Sequence, residues 1–278
     1  MKFGANVLIW TAAFGPEHFP ILPKLKEAGF DGVEIPIFAP AELPAAAIRR
    51  ELAGQNLECT SCSAMPRGAH LGSADKDERR RGQQHIRECL SAAAEMGASI
   101  LAGPMYSPVG YFTGTRRTAD EWKRAVGCWQ ELSPAVAASG VRVALEPLNR
   151  FETYFLNLTS DAAKFCGEIG DSNVGILADT FHCNIEEKSI GPALIAAGPH
   201  LMHLHTCEND RGTPGSGNVN WPEFFATVRE IGYDGWLTIE SFGFSLGAIA
   251  AAASIWRDLA ASPEAIAIDG VRFLRANC

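Results

Sequence analysis

The stretch "LADTFHCNIEE", residues 177–187, carries an apolar run straight into an aspartate, a histidine and two glutamates. A short apolar run ahead of polar, helix-compatible sequence is a candidate buried strand, so Asp179 and His182 stand where that strand should end. A lone pair of this kind is ordinarily a helix cap and a surface imidazole. Its meaning depends on how the other strands end.

Working outward, β-rich runs alternate with segments of helical periodicity along the whole chain. The expected strands are 2–8, 32–37, 57–62, 99–103, 141–147, 174–179, 200–205 and 236–241, each followed by a helical segment. This is the signature of repeated βα units around a parallel sheet. "AGFDGVE" (28–34) and "EIGYDGW" (230–236) each place a glycine after the last apolar helical position and an Asp-Gly turn before the next strand, as helix C-caps do. Pro222 falls near a first helical turn, where its missing N–H is harmless. Eight such units in 278 residues predict a single (β/α)8 TIM barrel, one domain over residues 1–278. A doubly wound open sheet would carry a Gly-rich phosphate turn after its first strand. Here that strand runs into "IWTAAFG" (9–15) instead.

The composition is that of an ordinary globular protein, 47% apolar and 20% charged. A formal charge of −8 opposes nucleic-acid binding, which needs clustered Lys and Arg. The one dense basic run, "KDERRRGQQ" (76–84), is interleaved with acids and marks a solvated helix start. No apolar segment approaches the roughly 20 residues that span a bilayer, and the N-terminus does not resemble a signal peptide. A cytoplasmic protein without membrane partners is expected. Of eight cysteines only Cys59 and Cys62 form a C-x-x-C, and "LECTSCS" is strand-like, so reduced structural thiols are expected.

In a barrel the chemistry sits at the C-terminal ends of the strands. Four consecutive strands there end in metal-type donors: Glu146, Asp179, His205 and Glu240. Three carboxylates converging on one water-poor rim repel one another unless a cation joins them. Three hard oxygens and one imidazole suit Mn²⁺, Mg²⁺ or Co²⁺ better than a structural zinc. His203 and His205 share one side of the pleat. The residue nearer the strand end, His205, is the expected ligand, and His203 an imidazole beside the ligands or inside the barrel. His182 is left open between a cap or solvent role and a substrate contact.

These segments resemble a known family. "EPLNRFE" (146–152), "DTFHCNIEE" (179–187), "HLHTCENDRGTPGSG" (203–217) and "IES" (239–241), with "LKEAGFDGVEI" (25–35) more loosely, are similar to the ketose 3-epimerases acting on D-tagatose, D-allulose (psicose) and L-ribulose, in the xylose-isomerase-like barrel superfamily. The resemblance implies that Glu146, Asp179, His205 and Glu240 hold a divalent metal, Mn²⁺ first and Co²⁺ or Mg²⁺ as alternatives. It implies that Glu152, His182 and Arg211 contact a free ketose, and that the protein is a homodimer or homotetramer. Epimerisation at C3 through a metal-stabilised enediolate then needs an acid and a base on opposite faces. Glu146 and Glu240, separated by two strands, are the expected pair. Trp10, with Phe14, is a candidate wall for the sugar, and Glu34 a polar contact inside the barrel. Cys183, where methionine is common, and "GPMYSPVGYFTG" (103–114), which lacks a tryptophan, depart from the family where distal sugar carbons would lie.

An aldose–ketose isomerase of the same superfamily, of hydroxypyruvate or xylose isomerase type, would share this chemistry but yield an aldehyde. A metal-dependent nuclease needs a basic face that the acidic charge opposes. A sugar-binding barrel without catalysis would have no use for both Glu146 and Glu240.

Overall fold

A computed structural model describes residues 1–242, 247 and 253–278. The eight expected strands are all present: β1 (Lys2–Asn6), β2 (Gly32–Pro36), β3 (Glu58–Cys62), β4 (Ile100–Gly103), β5 (Arg142–Leu145), β6 (Val174–Asp179), β7 (Leu201–His205) and β8 (Trp236–Ile239). They run parallel in chain order, and β8 pairs back onto β1 to close a (β/α)8 barrel. Several stop earlier than the apolar pattern predicts. At β1 the reason is local: the Asn6 side chain accepts from Leu8 N–H and starts a 3-10 turn over Val7–Ile9. Glu146 and Glu240 therefore lie one residue beyond β5 and β8.

The described helices are α1 (Leu22–Ala28), α2 (Ala45–Gly54), α3 (Lys76–Met96), α4 (Ala119–Ser139), α5 (Thr159–Ile169), α6 (Thr180–Glu186), α7 (Ile190–Ala197), α8 (Trp221–Glu230) and α9 (Pro263–Asn277). The basic run at 76–84 opens α3, capped by Asp75 and led by Asp77 and Glu78, which complement the helix dipole. A Thr118/Glu121 capping box starts α4. At the end of α1, Gly29 takes φ 98°, a left-handed conformation that lets its N–H reach the carbonyls of Leu25 and Lys26. Among the described residues no helix is long and apolar enough to cross a membrane.

The main core lies between strands and helices and includes Ile35, Val143, Ile176, Leu204 and Ile239 with Ile48, Ile86, Trp129 and Phe165. A second apolar cluster, Ile100, Ala102, Ala144, Leu177, Met202 and Trp236, packs by itself. Period-two alternation sets Leu177 and Asp179 on one face of β6, so this cluster fills the interior below the strand ends.

One irregularity positions the site. Ile176 pairs with Leu201, but Leu177 pairs with His203, so Met202 is an extra residue in β7. Gly175 leaves room for it, since a Cβ there would meet the His200 carbonyl and the Met202 side chain. The bulge puts His205 directly opposite Asp179. Without it Asp179 would face Leu204.

Candidate active site and metal centre

Four strand ends meet at one rim. Glu146, Asp179, His205 and Glu240 are all buried and each offers a donor atom within 4.8 Å of the others. Among the described residues Nδ1 of His205 has no hydrogen-bond partner although it is buried; it faces Glu240 Oε2 at 3.5 Å and Asp179 Oδ2 at 3.8 Å. A buried ring nitrogen turned toward carboxylates, within a set of three hard oxygens, fits a divalent cation of the Mn²⁺, Mg²⁺ or Co²⁺ kind. These four residues can hold a metal ion.

The electrostatics of the two glutamates diverge. Burial and the neighbouring Glu240 push Glu146 well above the ordinary carboxylate range. Burial also opposes ionisation of Glu240, but His205 and Arg211 outweigh it and hold that group low. Asp179 is raised by burial, which Arg211 only partly offsets.

Arg211 reaches the rim from the loop between β7 and α8. Its Nη1 donates to Asp179 Oδ2 (2.7 Å) and Glu240 Oε2 (2.6 Å). The guanidinium lies 4.1 Å from the Phe181 ring centre and 5.2 Å from that of Phe242. Its backbone is left-handed, φ 68°, unusual for a residue with a side chain. Glu208 shapes this loop: fully buried, it accepts from the backbone N–H of Gly215 and Val219 and from the Trp221 indole.

His182, on α6, is 2% exposed. Its Nδ1 accepts from the Asn149 backbone N–H at 3.0 Å, while Arg211 Nη2, which can only donate, lies 3.1 Å from its Nε2. That nitrogen faces Glu146 Oε1 at 3.5 Å. Burial and the nearby Arg211 drive its pKa well down, so the ring is neutral. The Asn149 amide also donates to Glu152 (2.8 Å), whose carboxyl is raised by burial. Asn149 thus arranges two expected substrate contacts at once.

A cavity of about 260 Å³ opens above the rim, lined by Glu146, Glu152, His182, His205, Arg211 and Glu240 on its polar side. Leu8, Phe38, Val109, Leu148 and Phe242 form its apolar side. The expected residues are therefore brought together with one exception. Trp10 lies with Phe14 in a separate cavity of about 180 Å³, beside His18, Lys24 and Glu264. The 3-10 turn after Asn6 is the cause: it sends Leu8 to the active-site cavity and carries Trp10 past it. Glu34 is an interior polar contact, accepting from His203 Nε2 at 2.8 Å, with no exposure. All eight cysteines are free. Cys207 packs behind Asp179 (3.4 Å) and does not line the cavity.

Sequence reasoning missed Asn6, Asn149, Glu208 and Leu8. Asn149 stands inside "EPLNRFE", but its role rests on a contact across 33 positions to His182, which local pattern does not carry.

The comparisons agree with this geometry. Residues 22–277 match the profile of the xylose isomerase-like TIM barrel family. The chain is 34% identical over 276 residues to a probable ketose 3-epimerase of Synechocystis sp., covering 99% of this chain and 96% of that one. It is 31% identical to a D-psicose 3-epimerase of Ruminiclostridium cellulolyticum, covering 93% and 90% respectively. The crystal structure of D-allulose 3-epimerase from Methylomonas sp. in complex with D-allulose superposes with a TM-score of 0.94 at 26% identity, covering 100% of this chain and 97% of that one. The chain belongs to the xylose isomerase-like TIM barrels and, within them, to the ketose 3-epimerases, enzymes that isomerise carbohydrates.

Proposed function

We propose that the chain epimerises free ketoses at C3, with substrates of the D-tagatose, D-fructose, D-allulose and L-ribulose type. The observation that carries this reading is the enclosed Glu146, Asp179, His205, Glu240 set beneath a sugar-sized cavity. A divalent ion held there, Mn²⁺ first among the candidates, supplies Lewis-acid polarisation of the ketose carbonyl.

The chain's own groups would do the rest. In the metal-free protein Glu146 is held above the ordinary carboxylate range and Glu240 below it, so the two carboxyls sit in different environments, as an acid and a base do. One glutamate removes the C3 proton and the other returns a proton to the opposite face. For the other epimer the roles exchange, and between turnovers of one epimer proton exchange with solvent resets the pair. Arg211 and the His182 ring would stand near the O2 oxygen, where negative charge develops, and Glu152 would bond a sugar hydroxyl.

A free sugar suits the cavity better than a sugar phosphate. Among the described lining residues Arg211 is the one Lys or Arg, and it is already bonded to two carboxylates. The same reading makes the protein one barrel domain over residues 1–278, working in the cytoplasm as a homodimer or homotetramer. Light scattering checks the oligomer.

The deciding experiment incubates Mn²⁺-loaded protein with a panel of ketoses and their phosphates and identifies the products. C3-epimeric ketoses are expected. Aldoses as the sole products would establish the isomerase alternative, and preference for the phosphates would overturn the substrate class.

A further inference from the structure

Beneath the metal-type donors lies a polar layer that does not line the cavity. Glu34, on β2, is fully buried, and each of its carboxylate oxygens accepts two hydrogen bonds. Oε1 accepts from His205 Nε2 (2.7 Å) and Asn6 Nδ2 (2.9 Å). Oε2 accepts from His203 Nε2 (2.8 Å) and Thr60 Oγ1 (3.0 Å). An ionised carboxylate only accepts, so both rings must carry a proton on Nε2. Among the described residues Nδ1 of each ring is left without a hydrogen-bond partner, and for His205 that nitrogen faces Asp179 and Glu240. Asn6 extends the arrangement. Its Oδ1 is committed to Leu8 N–H (2.9 Å), which turns its Nδ2 toward Glu34 and toward Glu240 Oε1 (3.4 Å).

We propose that Glu34 is a positioning residue for the metal centre: it grips His203 and His205 through Nε2–H and, by way of Asn6, aligns Glu240, so that His205 presents Nδ1 to the carboxylates. The role rests on the metal reading above. Partners of this kind fix the orientation and basicity of a ligand imidazole, and their loss weakens metal binding about 10–100-fold.

The hydrogen-bond pattern makes the outcome of Glu34→Gln specific. An amide has one accepting oxygen. The Oε1 site must keep it, because Asn6 Nδ2 can only donate there. The NH₂ group then falls at the Oε2 site, where the Thr60 hydroxyl can rotate and His203 can move its proton to the unpartnered Nδ1.

The test reads histidine ring N–H signals by ¹⁵N NMR, in metal-free and Mg²⁺-loaded protein, together with Mn²⁺ affinity by calorimetry. The parent should show Nε2–H on both His203 and His205. Glu34→Gln should keep Nε2–H on His205, shift the His203 proton to Nδ1, and weaken Mn²⁺ binding about 10-fold. Glu34→Leu should lose both protected N–H signals and weaken binding about 100-fold. The Gln variant keeps the size of the side chain, so it carries the test if the Leu variant does not fold.

A parent whose His205 lacks Nε2–H, or a Gln variant that binds Mn²⁺ as tightly as the parent, overturns the role of Glu34. A parent that binds no divalent ion overturns the metal reading and this role with it, and is told apart from failure of Glu34 alone by the parent's own titration.

Discussion

Asp179 does two jobs with two oxygens. Oδ1 accepts from the Phe181 backbone N–H at 2.7 Å and caps α6, while Oδ2 faces Arg211 and the donor set. Asn caps helices about as well as Asp, so Asp179→Asn separates the roles: the fold should persist while Mn²⁺ affinity, measured by calorimetry, falls by more than about 10-fold. At the acid/base pair, Glu146→Gln and Glu240→Gln, each first shown to retain metal, should block net epimerisation while at least one still exchanges the C3 proton. Deuterium uptake from heavy water into recovered substrate, run from both epimers, reads this. Near-parental epimerisation by both variants would remove the pair from that role. The four donors were legible in the sequence because barrel geometry gathers strand ends whatever the side chains do. Trp10 lies in a cavity apart from the donor set because its direction follows from the Asn6 cap, in a turn that hydrophobic pattern does not reveal. Trp10→Ala should accordingly leave the KM for ketose unchanged, whereas Leu8→Ala should alter it.

Between elements, the loop after β5 that bears Asn149 and Glu152 is tied down by a relay. His70 Nδ1 accepts from Gly72 N–H (2.8 Å), which leaves the ring proton on Nε2, 2.9 Å from the Tyr154 hydroxyl. Tyr154 in turn donates to Glu121 on α4 at 2.7 Å. Three segments distant in sequence are joined by one phenol, so Tyr154→Phe should lower stability by about 1 kcal/mol, read as a shift in the urea midpoint. A variant with an unchanged midpoint would show that the relay is incidental. The strands and most helices could be read from period and punctuation, because each depends on residues a few positions apart. The Met202 bulge could not: it exists only in the pairing of β6 with β7, and Met202 itself is an unremarkable apolar residue.

For the molecule as a whole, the enclosed donor set makes stability respond to metal and pH together. Removing a metal present at about 100 times its Kd withdraws about 2.7 kcal/mol, so chelation should lower Tm by several degrees and abolish turnover; full activity in exhaustively chelated protein would refute metal dependence. In the metal-free state Glu146 titrates above its ordinary value of 4.5. Its ionisation therefore works against the fold: the penalty is absent below that value, grows as pH rises and is complete above the folded pKa. Glu146→Gln should raise the Tm of metal-free protein at pH 8 and lose that advantage as pH approaches 4.5, which a series of melts would show. The extra residue at Met202 sets the terms for anyone moving this chemistry elsewhere. β7 reads its side chains by one parity below Met202 and by the opposite parity above it, so the strand works as a phase shifter. A designer who grafts the histidine onto a regular barrel strand without the odd residue would deliver the imidazole to the helix-facing layer, with every ligand spelled correctly and no centre formed.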